Sequence, residues 1–214
     1  MPSFSFSASQ ASQQYIKISV QFITENSETK IQLPRWRPGR YELANFAKNV
    51  KSLVVYDPDK KTLPVEKDSI DRWVVDTSDC SNITVEYAYY ANKINAGSSF
   101  LDATQLYVDP INCCVFTEET YNSKVEVVLD IPEKWNVATS MERTKLGFVA
   151  QNFDELMDSP FIASGVLQHE EFDVNNIKFH IWFNGEVKPD WDRLIKDFKA
   201  FTDTQTNSFT EFPV

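Results

Sequence analysis

Hydrophobic and polar residues alternate with a period of two along much of the chain. Three stretches show the alternation most clearly, and they read YIKISVQFI, NITVEYAYY and SKVEVVLDI. Their apolar faces are formed by Ile16, Ile18, Val20, Phe22, Ile83, Val85, Tyr87, Tyr89, Val125, Val127, Leu129 and Ile131. Because successive side chains of a strand point to opposite faces, these stretches predict strands with one buried face.

Shorter apolar runs predict further strands between and after these three. They cover Lys30–Leu33, Val50–Tyr56, Arg72–Asp76, Leu106–Asp109, Cys113–Phe116 and Asn136–Thr139. Turn-like segments such as Asp57–Lys61 separate them. Many short strands joined in this way predict a mainly β fold, an open, barrel-like antiparallel β-sandwich.

The pattern of the chain changes after about residue 174. The stretch IKFHIWF predicts one more strand, and Asp190 is a suitable N-cap for a helix that follows it. Apolar residues then recur at helical spacing, at Trp191, Leu194, Ile195, Phe198 and Phe201. We therefore predict a β-sandwich domain over residues 1–174, and over residues 175–214 the first strand and amphipathic helix of a truncated α+β domain.

A different short motif, FDELMDSP, precedes that change. It begins with acidic residues and ends at Pro160. It predicts one or two helical turns or a compact loop.

Composition and charge narrow the classes of function. The net charge of −10 argues against nucleic-acid and anionic membrane partners, which need basic surfaces. The first residues, MPSFSFSASQASQQ, lack the basic and apolar regions of a signal peptide. The cysteines Cys80, Cys113 and Cys114 predict buried free thiols in a reducing compartment. We expect a cytoplasmic protein, or a periplasmic or secreted one if a signal peptide has been removed.

Candidate catalytic chemistry is sparse in this sequence. The chain has two histidines, His169 and His180, and no H-E-x-x-H pattern. The spacing predicts His180 on the solvated face of its strand and His169 in an acidic loop. We predict no catalytic residue and no metal ligand within the chain.

The segment LPRWRPGRYELANFAKNV is unusual in an acidic chain because it holds three arginines, Arg35, Arg37 and Arg40. Pro38 and Gly39 fit the two central positions of a type II turn. One interpretation is a carboxylate-binding or partner site, since a guanidinium binds carboxylates through two hydrogen bonds. The other is that Trp36 packs inward while the arginines pair with acids of the same chain.

The same segment resembles the signature L-P-x-W-x-P-G-S-Y-L-x-R-x-F-A-R-N-V of the glycyl aminopeptidase family of zinc metallopeptidases. The stretches VEYAYYA with SSFLD, WNVATS and FDELMDSP are similar to further family motifs, in the same order. Two positions depart from the signature, since Arg40 replaces a serine and Ala44 an arginine. The resemblance implies structural signature residues at Trp36, Pro38, Gly39, Tyr41, Phe46, Asp154 and Asp158.

The resemblance also implies what the chain does. The family has an N-terminal β-domain, a thermolysin-like catalytic domain and a PDZ domain, and its zinc ligands and catalytic residues would follow Val214. We therefore expect a non-catalytic N-terminal domain that scaffolds the catalytic domain, with zinc and a peptide substrate bound only by the full-length enzyme. Related two-domain aminopeptidases use a loop of this domain as a cleft wall, and here the substrate-facing candidates are Gln105, Tyr107, Asp109 and Asn112.

Two other functions remain open at this point. A ligand-binding β-sandwich, such as a carbohydrate-binding module, would use exposed aromatic residues like Trp36, Trp73 and Tyr90. An adhesion or interaction module is a further alternative. A flat row of exposed aromatic side chains would favour carbohydrate binding. An exposed apolar face on the Trp191–Phe201 helix would favour a peptidase piece, because such a face needs a partner.

Overall fold

The structure is a computed structural model of the chain, and it describes residues 1–40 and 42–209. Contacts divide the chain into two compact units. The first comprises Met1–Glu133 and Val137–Ala163, and the second comprises Lys134–Asn136 and Ser164–Val214. The boundary predicted after residue 174 lies inside the second unit, at the turn of a hairpin, and the assignment of domains stays a prediction.

The elements up to residue 164 are mostly strands. They are β1 (Ser3–Gln10), β2 (Tyr15–Ile23), β3 (Glu28–Gln32), β4 (Val50–Tyr56), β5 (Thr62–Leu63), β6 (Val65–Ser69), β7 (Arg72–Asp76), β8 (Asn82–Tyr90), β9 (Phe100–Leu101), β10 (Gln105–Val108), β11 (Val125–Asp130), β12 (Asn136–Thr139), β13 (Glu142–Arg143), β14 (Phe148–Ala150) and β15 (Phe161–Ser164). A short helix, α1 (Phe153–Met157), and 3-10 turns at Ala11–Gln13, Phe46–Asn49, Pro110–Asn112 and Glu118–Thr120 connect them.

These strands form three sheets. The largest has the order β13-β14-β11-β1-β2-β8-β4-β5, and the smaller ones are β12-β15-β10-β9 and β3-β7-β6. In the largest sheet β1 and β11 run parallel and the other pairs are antiparallel, as are the pairs of the three-stranded sheet and the pair β9–β10. The largest sheet ends in the edge strands β13 and β5, so it is open. The predicted mainly β, open fold is confirmed.

The core lies on the faces that the alternation predicted. In β2 and β8 the residues Ile16, Ile18, Val20, Phe22, Ile83, Val85, Tyr87 and Tyr89 are all buried. Phe6 of the largest sheet meets Phe161 of the four-stranded sheet edge to face, with ring centroids 5.2 Å apart. Burial of this apolar surface is what holds the sheets against each other.

Sequence reasoning missed the long strand β1 and the shorter strands β5, β6, β9, β13, β14 and β15, and it predicted one strand wrongly. The first residues alternate serine with Phe4 and Phe6, both buried, and β1 lies between β2 and β11 in the largest sheet. The strand predicted over Cys113–Phe116 is absent from the described structure, where Phe116 makes only an isolated bridge with Gln32. Cys113, Cys114 and Val115 are all fully buried, so this segment has no exposed strand face. Cys80 is only half-buried.

The motif FDELMDSP forms α1, as predicted. The Asn152 side chain caps the helix by accepting a hydrogen bond from the Glu155 amide at 2.9 Å. The Glu155 carboxylate accepts one in return from the Gln151 amide at 2.6 Å. Two amides that the helix itself cannot satisfy therefore have partners.

The second unit contains a hairpin and a helix. Strands β16 (Leu167–Val174) and β17 (Ile177–Asn184) are joined by a two-residue turn, and α2 (Trp191–Thr206) follows. As predicted, Asp190 caps α2 by accepting from the Arg193 amide. Trp191 and Ile195 pack against a small core on one face of the hairpin, formed by Phe172, Val174 and Ile181. Among the described residues, no helix combines the length and apolarity that crossing a bilayer requires.

Gly147 occupies a position where a larger residue meets the neighbouring strand. A Cβ atom added there would lie 2.0 Å from the Val127 carbonyl oxygen of β11. We expect Gly147→Ala to lower the free energy of unfolding by about 1–3 kcal/mol, because the clash is with paired backbone that cannot move alone. Chemical denaturation measures the loss. The control is Gly165→Ala, whose added Cβ would make ordinary contacts with Trp135 at 3.4 Å; an equal loss in both variants would refute the explanation.

Candidate functional site

The arginine segment leaves β3 and makes a tight turn. Gly39 has φ of +84°, and the Arg40 amide donates to the Arg37 carbonyl at 3.3 Å. These features match the predicted type II turn, with Pro38 and Gly39 at its centre. The Ala44 amide donates to the Arg35 carbonyl at 2.9 Å and closes the loop. Tyr41, one of the signature residues, lies outside the described residues.

Arg35 pairs with a buried aspartate on the connection between β6 and β7. Its Nε lies 2.6 Å from Asp71 Oδ2, and the Asp71 side chain is 4% exposed. The Ser69 hydroxyl donates to the other carboxylate oxygen at 2.8 Å. Burial pushes the pKa of Asp71 upward, but hydrogen bonds from Arg35, Ser69 and Gln32 outweigh it, so the pKa lies below its ordinary value.

Arg37 pairs with a second buried aspartate, beyond the end of β10. Its Nη1 lies 3.0 Å from Asp109 Oδ2 and 3.1 Å from the Ala96 carbonyl oxygen. Gly97 leaves room for this guanidinium, since a Cβ there would lie 2.8 Å from Arg37 Nη1. Here burial dominates and raises the pKa of Asp109, although Arg37 and Arg40 oppose the rise.

The two ion pairs decide between the two interpretations of the arginine segment. Arg35 and Arg37 neutralise carboxylates of the same chain, as the second interpretation states. Trp36 does not pack inward, however, because 52% of its surface is exposed.

Trp36 instead borders a groove in the first unit. The groove has a volume of about 750 Å³ and is mostly apolar. Its lining residues are Gln32, Leu33, Pro34, Arg35, Trp36, Arg37, Pro38, Ile111, Phe116, Tyr121, Phe153, Asp154, Met157 and Asp158. Four predicted signature residues from two distant parts of the chain therefore meet in one groove. Of the other signature residues, Phe46 is buried and Gly39 is exposed in the turn.

An aromatic cluster forms the floor of this groove. The rings of Phe116, Tyr121 and Phe153 lie within 4.9–5.4 Å of one another, measured between centroids. The Tyr121 hydroxyl donates to Asp154 Oδ1 at 2.6 Å. This hydrogen bond, together with burial, raises the pKa of Tyr121 to about 12. The groove is thus lined both by an aromatic cluster and by the carboxylates of Asp154 and Asp158.

The four residues predicted to face a peptide lie on β10 and the turn after it, but they differ in exposure. Gln105 and Tyr107 are half-buried. Asp109 and Asn112 are 3% and 2% exposed, and Asp109 is held by Arg37. Asn112 Nδ2 has no hydrogen-bond partner among the described residues. Contact of any of these residues with a peptide stays a prediction.

In the second unit the structure brings together residues that sequence reasoning separated. His169 was predicted in a loop, but it lies in β16, and its Nε2 is 2.9 Å from His180 Nδ1 of β17. Glu171 completes a group of three metal-ligating side chains. The signal was present in the sequence, because Asn175-Asn176 is a typical two-residue hairpin turn that sets this register.

A family model described as the Peptidase M61 N-terminal domain matches residues 3–165. This chain belongs to that family. The resemblance to the glycyl aminopeptidases, drawn from four motifs, is confirmed. The family match ends at residue 165, close to Ala163, where the first unit ends. The groove, which is lined by both parts of the signature, therefore lies within the matched residues. No curated protein sequence matches the chain significantly.

Solved structures share the fold of this chain. The M61 N-terminal domain chain is similar to an aminopeptidase N family protein from Idiomarina loihiensis, with 29% identity and a TM-score of 0.92. That match covers 100% of this chain and 38% of the other, so this chain spans well under half of its relative. An M1 zinc metallopeptidase from Deinococcus radiodurans shares the fold at 10% identity and a TM-score of 0.50, over 99% of this chain and 53% of that one.

Proposed function

We propose that this chain is the non-catalytic N-terminal domain of a zinc-dependent aminopeptidase, followed by the first hairpin and helix of its catalytic domain. In the whole protein, the β-domain scaffolds the catalytic domain and forms one wall of the peptide-binding cleft. The observation that carries the proposal is the family match over residues 3–165. It is supported by the groove, where signature residues that are far apart in sequence share one surface.

The second unit supports the same proposal. Trp191 and Ile195 of α2 pack on the hairpin, but Phe198 and Phe201 are 42% and 58% exposed. Large apolar side chains at neighbouring helical positions favour a further packing partner. The catalytic domain of the longer protein is the partner that we propose.

The zinc of the proposed enzyme is not assigned to these residues. The chain holds no H-E-x-x-H pattern, and the resemblance places those ligands after Val214. When bound, such a zinc activates a water molecule for attack on a peptide carbonyl. The role that we propose for this chain is to position the peptide. Gln105 and Tyr107 offer polar atoms at the proposed wall, and the ion pair of Arg37 with Asp109 anchors the strand end beside them.

The proposal is tested by comparing the 214-residue chain with the longest protein that its gene encodes. We expect the longer protein to release N-terminal residues from short peptides, and a chelator to abolish this activity. The 214-residue chain alone should release none. Hydrolysis by the 214-residue chain, or a longer protein without chelator-sensitive activity, would overturn the proposal.

The proposed cleft wall leads to a separate prediction about the kinetics of peptide hydrolysis. In the longer protein, Gln105→Ala should raise KM for di- and tripeptides about tenfold, because a hydrogen bond to the charged peptide terminus is lost. The kcat should change little. Gln21→Ala, on an exposed position of β2, is the matched control. Equal KM values for both variants and the wild type would show that Gln105 does not bind the peptide.

The carbohydrate-binding alternative does not agree with the exposure of its aromatic residues. Trp73 is only 7% exposed and lies under the Lys67 ammonium group. Tyr90 packs against Tyr15, with ring centroids 5.1 Å apart. Trp36, Trp73 and Tyr90 therefore do not form the flat exposed row on which a sugar ring would stack.

A further inference from the structure

One face of the hairpin in the second unit carries an unusual set of side chains. The turn at Asn175 and Asn176 has positive φ at both residues, 52° and 64°, which is typical of a type I′ turn. The resulting register pairs Glu171 with His180 and His169 with Trp182. Because side chains alternate across a strand, all four lie on the same face, opposite the small core around Phe172.

The ligand atoms on this face lie close together. His169 Nε2 is 2.9 Å from His180 Nδ1, and His180 Nδ1 is 3.7 Å from Glu171 Oε2. Two nitrogen atoms bound to one zinc ion at about 2.0–2.1 Å lie roughly 3–3.4 Å apart. The separation of the two imidazole nitrogens therefore already suits a shared ion, and rotation of the rings and of the carboxylate turns their lone pairs toward it.

The surroundings hold these side chains in place. Lys178 pairs with Oε1 of Glu171, which leaves Oε2 directed toward His180. The His169 ring stacks on Trp182, with centroids 4.0 Å apart. The ligands are thus oriented by a cation and an aromatic ring before any ion arrives, which lowers the entropic cost of binding.

We propose that His169, Glu171 and His180 form a binding site for one divalent transition-metal cation such as Zn²⁺. Two imidazoles and a carboxylate are ligands that zinc accepts, and water completes its coordination. The facing nitrogens of the two histidines now share one proton. On metal binding, this proton moves to the other nitrogen of the same ring, so both facing lone pairs bind the ion. The ion then links the two strands of the hairpin.

The first test is calorimetric titration of the chelator-treated 214-residue chain with zinc chloride. We expect one site, weakened about tenfold or more by His169→Ala, by His180→Ala and by Glu171→Gln. Glu170→Gln is the matched control, because it removes the same charge from the other face of β16, where Glu170 pairs with Ile181. Its affinity should stay within about twofold of the wild type. Absence of zinc binding, or unchanged binding by the double histidine variant, would overturn the proposal.

A second test locates the ion. Cu²⁺ bound at His169 should quench the fluorescence of Trp182, because the two rings are stacked. The saturable quenching should disappear in Trp182→Phe, while zinc binding persists in that variant. Quenching that survives Trp182→Phe would place the ion elsewhere. Both tests use the isolated chain and no peptidase assay, so their outcome is independent of the proposed function.

Discussion

Replacing Phe153 with alanine is expected to lower the free energy of unfolding by about 3–5 kcal/mol. The ring is 4% exposed, and it contacts Phe116 and Tyr121 with centroid distances of 4.9 and 5.4 Å. Removing it loses the transfer free energy of the buried ring and leaves a cavity beneath the groove. The aromatic partners cannot collapse into that space without giving up their own contacts.

Chemical denaturation followed by far-UV circular dichroism measures this loss. Leu43→Ala is the control in the same unit, because Leu43 is 76% exposed. Its change should stay within about 0.5 kcal/mol, as for other exposed positions. A comparable loss in the two variants would show that Phe153 does not hold the groove together.

Replacing Arg37 with alanine is expected to lower the free energy of unfolding by about 2–4 kcal/mol at neutral pH. The variant leaves the Asp109 carboxylate, 5% exposed, without its hydrogen-bonded cation. We expect this loss of stability to be smaller than the largest losses caused by breaking fully buried ion pairs, because the Arg37 side chain is 29% exposed. Chemical denaturation of the variant and the wild type checks it, with Arg143→Ala, an exposed residue of β13, as the control.

The two ion pairs should respond to pH with opposite signs. The pKa of Asp71 is lowered in the folded chain, so its contribution to stability is present above its ordinary pKa and is lost as the pH falls. The pKa of Asp109 is raised, so its contribution is present below its ordinary pKa and is lost as the pH rises. Between about pH 3 and about pH 6, the loss caused by Asp71→Asn should grow and that caused by Asp109→Asn should shrink. Slopes of the same sign would contradict this assignment.

The opposite signs have a structural cause. Asp71 accepts hydrogen bonds from a guanidinium, a hydroxyl and an amide, and together these more than offset its burial. Asp109 has one close guanidinium, and its burial outweighs the effect of Arg37 and of the other groups that lower its pKa. The two arginine–aspartate pairs therefore differ in the direction of the aspartate pKa shift, although Arg35 and Arg37 are close together in the chain.

Local pattern in the sequence was sufficient for β2, β4, β8 and β11 of the largest sheet and for α2, but not for β1, β5, β13 and β14. The alternation in β2 and β8 reports burial directly, because the core packs against one face of the sheet and the other face is more exposed. Pro38-Gly39 likewise predicted its turn, since few residues adopt the positive φ that the turn needs. The family was also recognisable, because its motifs are local strings of residues.

Tertiary structure decided which distant residues meet. No local pattern pairs Arg37 with Asp109, or brings Trp36 to the groove beside Asp154, because those contacts depend on how sheets pack. β1 was missed because its polar positions are serines and its apolar face shows only Phe4 and Phe6. The histidine pair depends on hairpin register, and a shift of one residue would send His169 and Glu171 to the other face. The sequence pattern therefore predicts which side chains are buried, whereas the tertiary structure determines which residues those side chains contact.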